Sequence, residues 1–496
     1  MQKEKDLNFN IPMHILLVMK ELEKSSFEAY LVGGCVRDLL LGLTPKDWDI
    51  ATNAQPKNIR HLFPDSVYEN KFGTVGVKIR GEAVDNNKIT TIVEITTYRI
   101  ESKYSDKRHP DEVKFAKTLR EDLSRRDFTI NAIALKVVKN KEVEIVDLYS
   151  GQKDLKNKLI RAVGDANERF GEDALRIMRA IRFSVVFGFA IEEKTLSAIR
   201  KNAENLKHIS PERIRDEFVK IILSPAPAKG IELLQEAGIL KIILPEIENG
   251  INVMQSHHHY HGPYNTVYKH LVASLEKCPS KKLEVRLAAF LHDIGKPQAK
   301  RGEGENATFY NHEYIGERIA KNILERLKFS REITNKTTLL VRNHMFYYNV
   351  DEVGESGVRR VVQKIGLENI SDLIDVRIAD RLGSGVPKAV PYKLRHFQFM
   401  VEKVSHDPIS VKQLKLNGND LMSELGVEPG PKIGAILAVL LSQVIDDPTQ
   451  NIKEKLIELA KELTKSKVED LRKMAEEKIK AEQKKEEGLI KKKHKV

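Results

Sequence analysis

The sequence predicts an α+β protein in which the first 150 residues form a small mixed sheet with helices and the remainder is all-helical. Three observations carry this. Short β-type runs are confined to the N-terminal third, helical periodicity and cap signals dominate after Gly151, and the histidines gather in the helical part.

In order, residues 11–27 place Ile, Leu, Val and Met at helical spacing, which predicts an opening helix. The runs AYLVGG, DWDIAT, TVGVKIR, TTIVEITTYR and EVEIVDLY then read as strands. Beyond Gly151, EDALRIMRAIRFSVVFGF, SPERIRDEFVKIIL and PAKGIELLQEAGIL carry the 3.6-residue period of helices. The chain therefore divides into a head over 11–150, a helical neck over 151–250, a helical unit over 255–385, a helical region over 386–464 and a basic tail over 465–496. The third boundary follows from the histidines: eight of the fifteen lie between His257 and His344.

Composition narrows the class. With 496 residues, 41% apolar and 31% charged, the chain has the profile of a soluble protein of about three domains. The longest apolar runs, Ile11–Met19 and Gly434–Leu441, fall short of the roughly 18 residues of a membrane span. Residues 1–10 lack the apolar stretch of a secretory signal, and Cys35 and Cys278 are too few for a disulfide framework. A cytosolic protein is expected. The net charge of +12 favours a polyanionic partner, and the tail supplies +5 of it, as a solvated helix or an auxiliary RNA contact.

The segment Leu31-Val-Gly-Gly-Cys-Val-Arg-Asp38 turns from a strand into a helix. Gly33 and Gly34 let backbone approach a phosphate, and the helix N-terminus and Arg37 offer it positive potential. Asp47-Trp-Asp49 begins nine residues later in a strand-like context, where alternation puts both carboxylates on one face. Two adjacent anions call for a divalent cation between them, and an all-oxygen donor set favours Mg²⁺. Glu94, on a later strand, either joins that cluster or lies on an exposed face.

In Glu172-Asp173-Ala-Leu-Arg176-Ile-Met-Arg179-Ala-Ile-Arg182-Phe183 the charged residues from Asp173 onward recur every third position and drift slowly round one helix face. A carboxylate acceptor beside a guanidinium donor matches the Watson–Crick edges of C and A and mismatches those of U and G. Asp173 with Arg176 forms such a pair, Glu172 is available to brace the arginine, and Arg179 and Arg182 suit phosphate or stacking support. The competing reading is an amphipathic helix with a basic face.

Together with Arg125-Arg126-Asp127-Phe128-Thr129-Ile130-Asn131-Ala132, these motifs resemble, in order, those of the class II tRNA nucleotidyltransferases. That family includes CCA-adding enzymes and bacterial poly(A) polymerases. The resemblance implies a polymerase-β-like head with a helical neck and body, and Asp47 and Asp49 holding Mg²⁺ for attack of an RNA 3′-hydroxyl on a nucleotide α-phosphate. It places Gly34, Arg37 and Arg126 against triphosphate or ribose, with tRNA, CTP and ATP as partners. The arginines of the RRDFTINA motif have an alternative role as structural ion pairs with Asp127. The poly(A) polymerases carry an arginine-rich stretch, Gly-Arg-Arg-Phe-Arg-Leu-x-His, after the paired aspartates. Here that region reads Tyr68-Glu-Asn-Lys71-Phe72-Gly-Thr-Val-Gly-Val77, which favours CCA addition. Tyr98–Phe115 is long enough for the flexible loop associated with adding all three nucleotides.

A second group lies downstream. His292-Asp293 ends an apolar helix and precedes Gly295-Lys296, with His270 upstream and Asp380 downstream. The order His…His-Asp…Asp over about 255–385 resembles the HD superfamily of metal-dependent phosphohydrolases. It implies a site for a divalent transition metal or Mg²⁺, with His312 and His344 available for a second ion or for phosphate. A degenerate HD scaffold is the alternative. The run His257-His-His-Tyr-His261 reads as solvated imidazoles. Two further functions remain open: polyadenylation, and an HD phosphohydrolase acting on RNA 3′ ends with the head as recruiting module.

Overall fold

A computed structural model describes residues 2–4, 9–68, 73–80, 90–102, 112–138, 142–255, 265–303, 307–405, 411–446 and 448–496. Lys71-Phe72, positions 103–111 of the expected loop and the His257–His261 run lie outside them. The chain forms two compact units, 1–344 with 375–386, and 345–374 with 387–496.

The first unit begins as expected. Helix α1 (Met13–Lys24) buries Ile15, Val18, Met19 and Leu22, spaced by three or four residues as an amphipathic helix requires. The strands are β1 (Gln2–Glu4), β2 (Tyr30–Val32), β3 (Asp49–Thr52), β4 (Ser66–Tyr68), β5 (Thr74–Arg80), β6 (Thr90–Thr97), β7 (Arg99–Ser102), β8 (Glu112–Phe115), β9 (Ile133–Val137) and β10 (Val143–Asp147). Among the described residues, eight of them form one mixed sheet in the order β1-β10-β9-β2-β3-β6-β5-β4, while β7 and β8 make a separate hairpin. In the sheet β3 runs parallel to β6 and antiparallel to β2, and its register sets Asp49 beside Glu94. Interleaved are α2 (Gly34–Leu40), α3 (Pro56–Leu62) and α4 (Leu119–Ser124). The last opens with a capping box in which the side chains of Thr118 and Glu121 each accept from the other's backbone N–H.

The neck follows as α5 (Gly151–Lys156), α6 (Ala166–Glu172), α7 (Leu175–Phe187), α8 (Glu193–Asn202) and α9 (Pro211–Ile222). α7 packs on α9 and is buried along most of its length, including Arg176. Helices Val267–Lys277, Leu283–Leu291, His312–Arg326 and Arg331–Asn343 complete the first unit, together with the last turns of Leu367–Gly383.

The second unit is helical, with a core of Leu421, Ile436, Val439, Leu440, Leu456 and Ala460. The charged tail contributes to it. Helix Val468–His494 packs along Pro431–Asp446 and places Leu471 and Ala475 in that core. Spaced by four, these two residues form a narrow apolar seam that the surrounding lysines and glutamates obscure in the sequence. No helix among the described residues is long and apolar enough to cross a membrane.

Leu440 is fully buried in that core. Leu440→Ala should lower the stability of the second unit by about 2–5 kcal/mol, read from its thermal or urea unfolding transition.

Candidate active site

The strand–turn–helix at Leu31–Asp38 forms one wall of the candidate site. Gly33 sits at φ +75° as the residue before α2, a conformation most side chains avoid. A Cβ there would also lie 2.9 Å from Arg126 Nη1. Two constraints therefore demand glycine.

Across from it, Asp49 opens β3 and Asp47 lies in the preceding bend. Strand alternation thus applies to Asp49 but not to Asp47, which reaches the same region from the turn. Burial raises the Asp49 carboxyl above its usual range, and Asp47 adds to this while Arg126 opposes it. The carboxylates therefore interact and both remain accessible, Asp47 exposed and Asp49 half-buried. Glu94 is exposed beside Asp49 on β6.

The arginines are committed to specific partners. Arg37 donates to Asp38 Oδ1 at 2.7 and 2.9 Å and to Asn131 Oδ1 at 2.8 Å, and its guanidinium carbon lies 4.6 Å from the Phe187 ring centroid. Arg126 pairs with Asp122, at 3.1 Å. Asp127 is taken by Arg179, whose Nε and Nη2 donate to Oδ2 at 2.9 and 2.6 Å. The alternative reading, in which the tandem arginines pair with Asp127, gives way to Asp122 as partner of the arginines and Arg179 as partner of Asp127. Although burial would raise it, the Asp127 carboxyl is held down at about 2 by Arg179 and by the Asn131 amide.

Asp173 and Arg176 stand at the start of α7 as expected, but each is held by another residue. Arg176 donates to Glu172 Oε2 at 2.7 Å and to the Arg125 carbonyl at 3.0 Å, so Glu172 does brace it. Asp173 accepts from Arg213 of α9 at 2.8 and 3.4 Å. Arg182 donates to Glu217, also on α9, at 3.0 Å and lies 4.2 Å from the Phe183 centroid.

Three family profiles match this chain: the poly A polymerase head domain over 29–161, the RNA and SrmB-binding site of polymerase A over 188–251, and tRNA nucleotidyltransferase domain 2 over 307–460. The CCA-adding enzyme of Ligilactobacillus salivarius is 34% identical over 456 residues, spanning 91% of this chain and 97% of its own. The chain belongs to the CCA-adding enzymes. That of Lactococcus lactis is also 34% identical, over 88% of this chain and 93% of its own. Among solved structures, the Bacillus stearothermophilus CCA-adding enzyme in complex with CTP matches with a TM-score of 0.55 at 26% identity, covering 91% of this chain and 96% of that one. The Thermotoga maritima CCA-adding enzyme complexed with tRNA shares the fold, with a TM-score of 0.53 at 22% identity over 93% and 100% of the two chains.

This CCA-adding enzyme also assembles the histidine-rich group. His270, His292 and Asp293 form one set of buried ligand atoms, and Asp293, His312 and His344 another. Asp293 belongs to both. Its Oδ2 lies 3.4 Å from Nε2 of His270 and of His292, and its Oδ1 lies 3.1 and 3.6 Å from Nε2 of His312 and His344. Asp380 Oδ1 is 3.3 Å from His270 Nε2. The Nδ1 atoms of His292, His312 and His344 lie 2.9, 2.7 and 2.7 Å from the carbonyls of Ala289, Phe309 and Val341. Those contacts engage Nδ1 of each ring as a donor and turn Nε2, the atom that could hold a metal, toward Asp293. Gly295 permits the close approach, because a Cβ there would collide with the His312 carbonyl oxygen. Burial opposes charge on His292, yet Asp293 and Asp380 push it up to about 10, while burial drives His344 down to about 4.

The sequence does not single out Asp122, Arg213, Glu217 or Asn131, although the last lies within the RRDFTINA motif. The partners of Arg213, Glu217 and Asn131 include residues 35 to 94 positions away, and no local period marks such pairings, whereas Asp122 stands at i,i+3 and i,i+4 spacing from Arg125 and Arg126.

Asp127 yields a pH test. Its folded pKa of about 2 lies below the unfolded value of about 3.9, so the stability it contributes is complete above pH 4 and is lost as the pH falls toward 2. Asp127→Asn should flatten this part of the acid limb in urea titrations and should also be less stable at pH 7, where Arg179 loses its partner.

Proposed function

We infer that this protein adds C, C and A to tRNA 3′ ends from CTP and ATP and releases pyrophosphate. Membership of a family of CCA-adding enzymes, matched over nine-tenths of the chain, is the observation that carries this conclusion. The curated relatives are CCA-adding enzymes rather than poly(A) polymerases, and polyadenylation is not favoured. A cytosolic setting suits both this substrate and the two free cysteines.

The residues fit the work. Asp47 and Asp49 are two accessible, mutually interacting carboxylates with only oxygen to offer, a donor set suited to Mg²⁺. When bound, Mg²⁺ supplies charge stabilisation for the attacking and leaving oxygens. Gly33 and Gly34 keep the entry to α2 clear for phosphate, and Gly34 lies beside Arg37. Arg126 brings positive charge to the same wall. Asp173 and Arg176 present an acceptor beside a donor, the pattern that accepts C or A. Arg213 and Glu172 hold each in place without exhausting it, since a carboxylate has about four acceptor sites and a guanidinium five donors. Arg179 and Arg182 support the helix from behind, through Asp127 and Glu217.

The histidine-rich group favours a second reading, a metal centre of HD type. Its four imidazoles and two carboxylates form a mixed nitrogen and oxygen set suited to a transition metal. The position of Asp293 between two ligand sets suits a pair of ions. His292 must lose its proton to bind, so metal uptake should strengthen with rising pH.

Incubated with Mg²⁺, CTP, ATP and a tRNA lacking its 3′ CCA, the protein should yield ends that sequence as C, C, A; a long A tail would support polyadenylation. Asp47→Ala or Asp49→Ala should reduce extension by at least about a thousandfold, and retained activity would remove both from the metal site. His292→Ala should lower bound transition metal, measured by elemental analysis, while leaving CCA addition within about twofold. Loss of CCA addition in a folded His292→Ala protein would tie the two centres together.

A further inference from the structure

Asp122, on α4, is 1% exposed. Its Oδ1 accepts from Arg125 Nε and Nη2 at 3.1 and 2.8 Å, and its Oδ2 accepts from Arg126 Nη2 at 3.1 Å. A single buried carboxylate therefore holds both tandem arginines. Arg126 Nη1 and Asp49 Oδ2 converge on Gly33, where a Cβ would lie 2.9 Å from the first and 3.7 Å from the second, and Nη1 also reaches the Asn131 carbonyl at 3.5 Å. Arg125, in turn, presents its carbonyl to Arg176 Nη2 at 3.0 Å. Asp122 thus touches the arginine next to the metal-binding carboxylate and the residue that supports the base-reading one.

A guanidinium near Asp49 has two possible anionic partners. Paired to Asp122, which it shares with Arg125, its charge is partly offset and its orientation fixed. Released, it would be drawn to Asp49, whose Oδ2 faces the same point at Gly33, and would compete there with a cation. The capping box that starts α4 fixes the helix carrying Asp122, so the choice is built into the backbone.

We propose that Asp122 is a positioning residue that withholds Arg126 from Asp49 and so keeps the paired aspartates available to divalent cations. The proposal rests on the reading of Asp47 and Asp49 as metal ligands. Its mechanism is electrostatic competition, which distinguishes it from a general structural role.

The test is Mn²⁺ binding to the full-length protein with neither nucleotide nor primer RNA, followed by electron paramagnetic resonance, so that neither turnover nor an Arg126 contact to nucleotide enters. The sites lost in Asp49→Ala report the head and separate it from the histidine-rich centre; if that variant loses none, the metal-ligand reading fails and this proposal with it. Asp122→Asn should weaken those sites about five- to tenfold, and Asp122→Glu should stay within about twofold of wild type. Arg126→Gln alone should bind Mn²⁺ at least as tightly as wild type, a result independent of whether Asp122→Asn folds. In the Arg126→Gln background, Asp122→Asn should change Mn²⁺ affinity by less than about twofold. Unchanged affinity in folded Asp122→Asn, an equal loss in both backgrounds, or weaker binding by Arg126→Gln would each overturn the proposal.

Discussion

The head and neck depend on one buried carboxylate. Asp127 accepts from its own neighbour's amide at Phe128, from the Asn131 side chain and twice from Arg179. A carboxylate removed from water without such partners would be penalised by several kcal/mol. Here four donors compensate, and they come from the motif loop and from α7. Asn131 then passes the constraint to Arg37, which orients the start of α2. Three separated segments are therefore fixed by interactions traceable to one side chain, and Arg37 and Arg179 inherit their positions from it.

The neck uses the same device a second time. α9 sends Arg213 to Asp173 and Glu217 to Arg182, so the entry to α7 and its middle are tied to one neighbour by ion pairs of opposite polarity. A slide of α7 along α9 would break both at once. Exchangeable surface salt bridges contribute little, but these side chains are mostly buried, and their loss would leave charges without partners. Such paired ties keep α7 in fixed register against α9.

Local rules made much of this legible. Strand runs, the Gly-Gly turn, the paired aspartates and the helical period of the neck all reflect interactions within a few residues, and those elements stand where periodicity and cap chemistry put them. Asp127 illustrates the limit. The i,i+4 spacing from Asp122 offers Arg126 a local partner, whereas α7 brings Arg179 to Asp127 from 52 residues away. Asp173 likewise looks to Arg176 in sequence and finds Arg213 in space. The tail was misleading for a different reason: Leu471 and Ala475 are too few among the charges to signal a buried face, yet they complete the core of the second unit.

Two aspartates in the head show why partner count separates structural from functional acids. Asp127 is the more deeply buried, and burial alone would raise its pKa; its donors reverse the sign and bring it to about 2. Asp49 is less buried, yet its carboxyl is shifted upward, because Asp47 adds repulsion and Arg126 only partly offsets burial. A carboxylate whose lone pairs are already satisfied has nothing to offer a cation. One left under-compensated beside a second anion gains from any positive charge that reaches it, and a divalent ion supplies more than a single guanidinium can. The unfavourable electrostatics at Asp49 are therefore a property that favours a cation there, and Arg126 offsets them only in part.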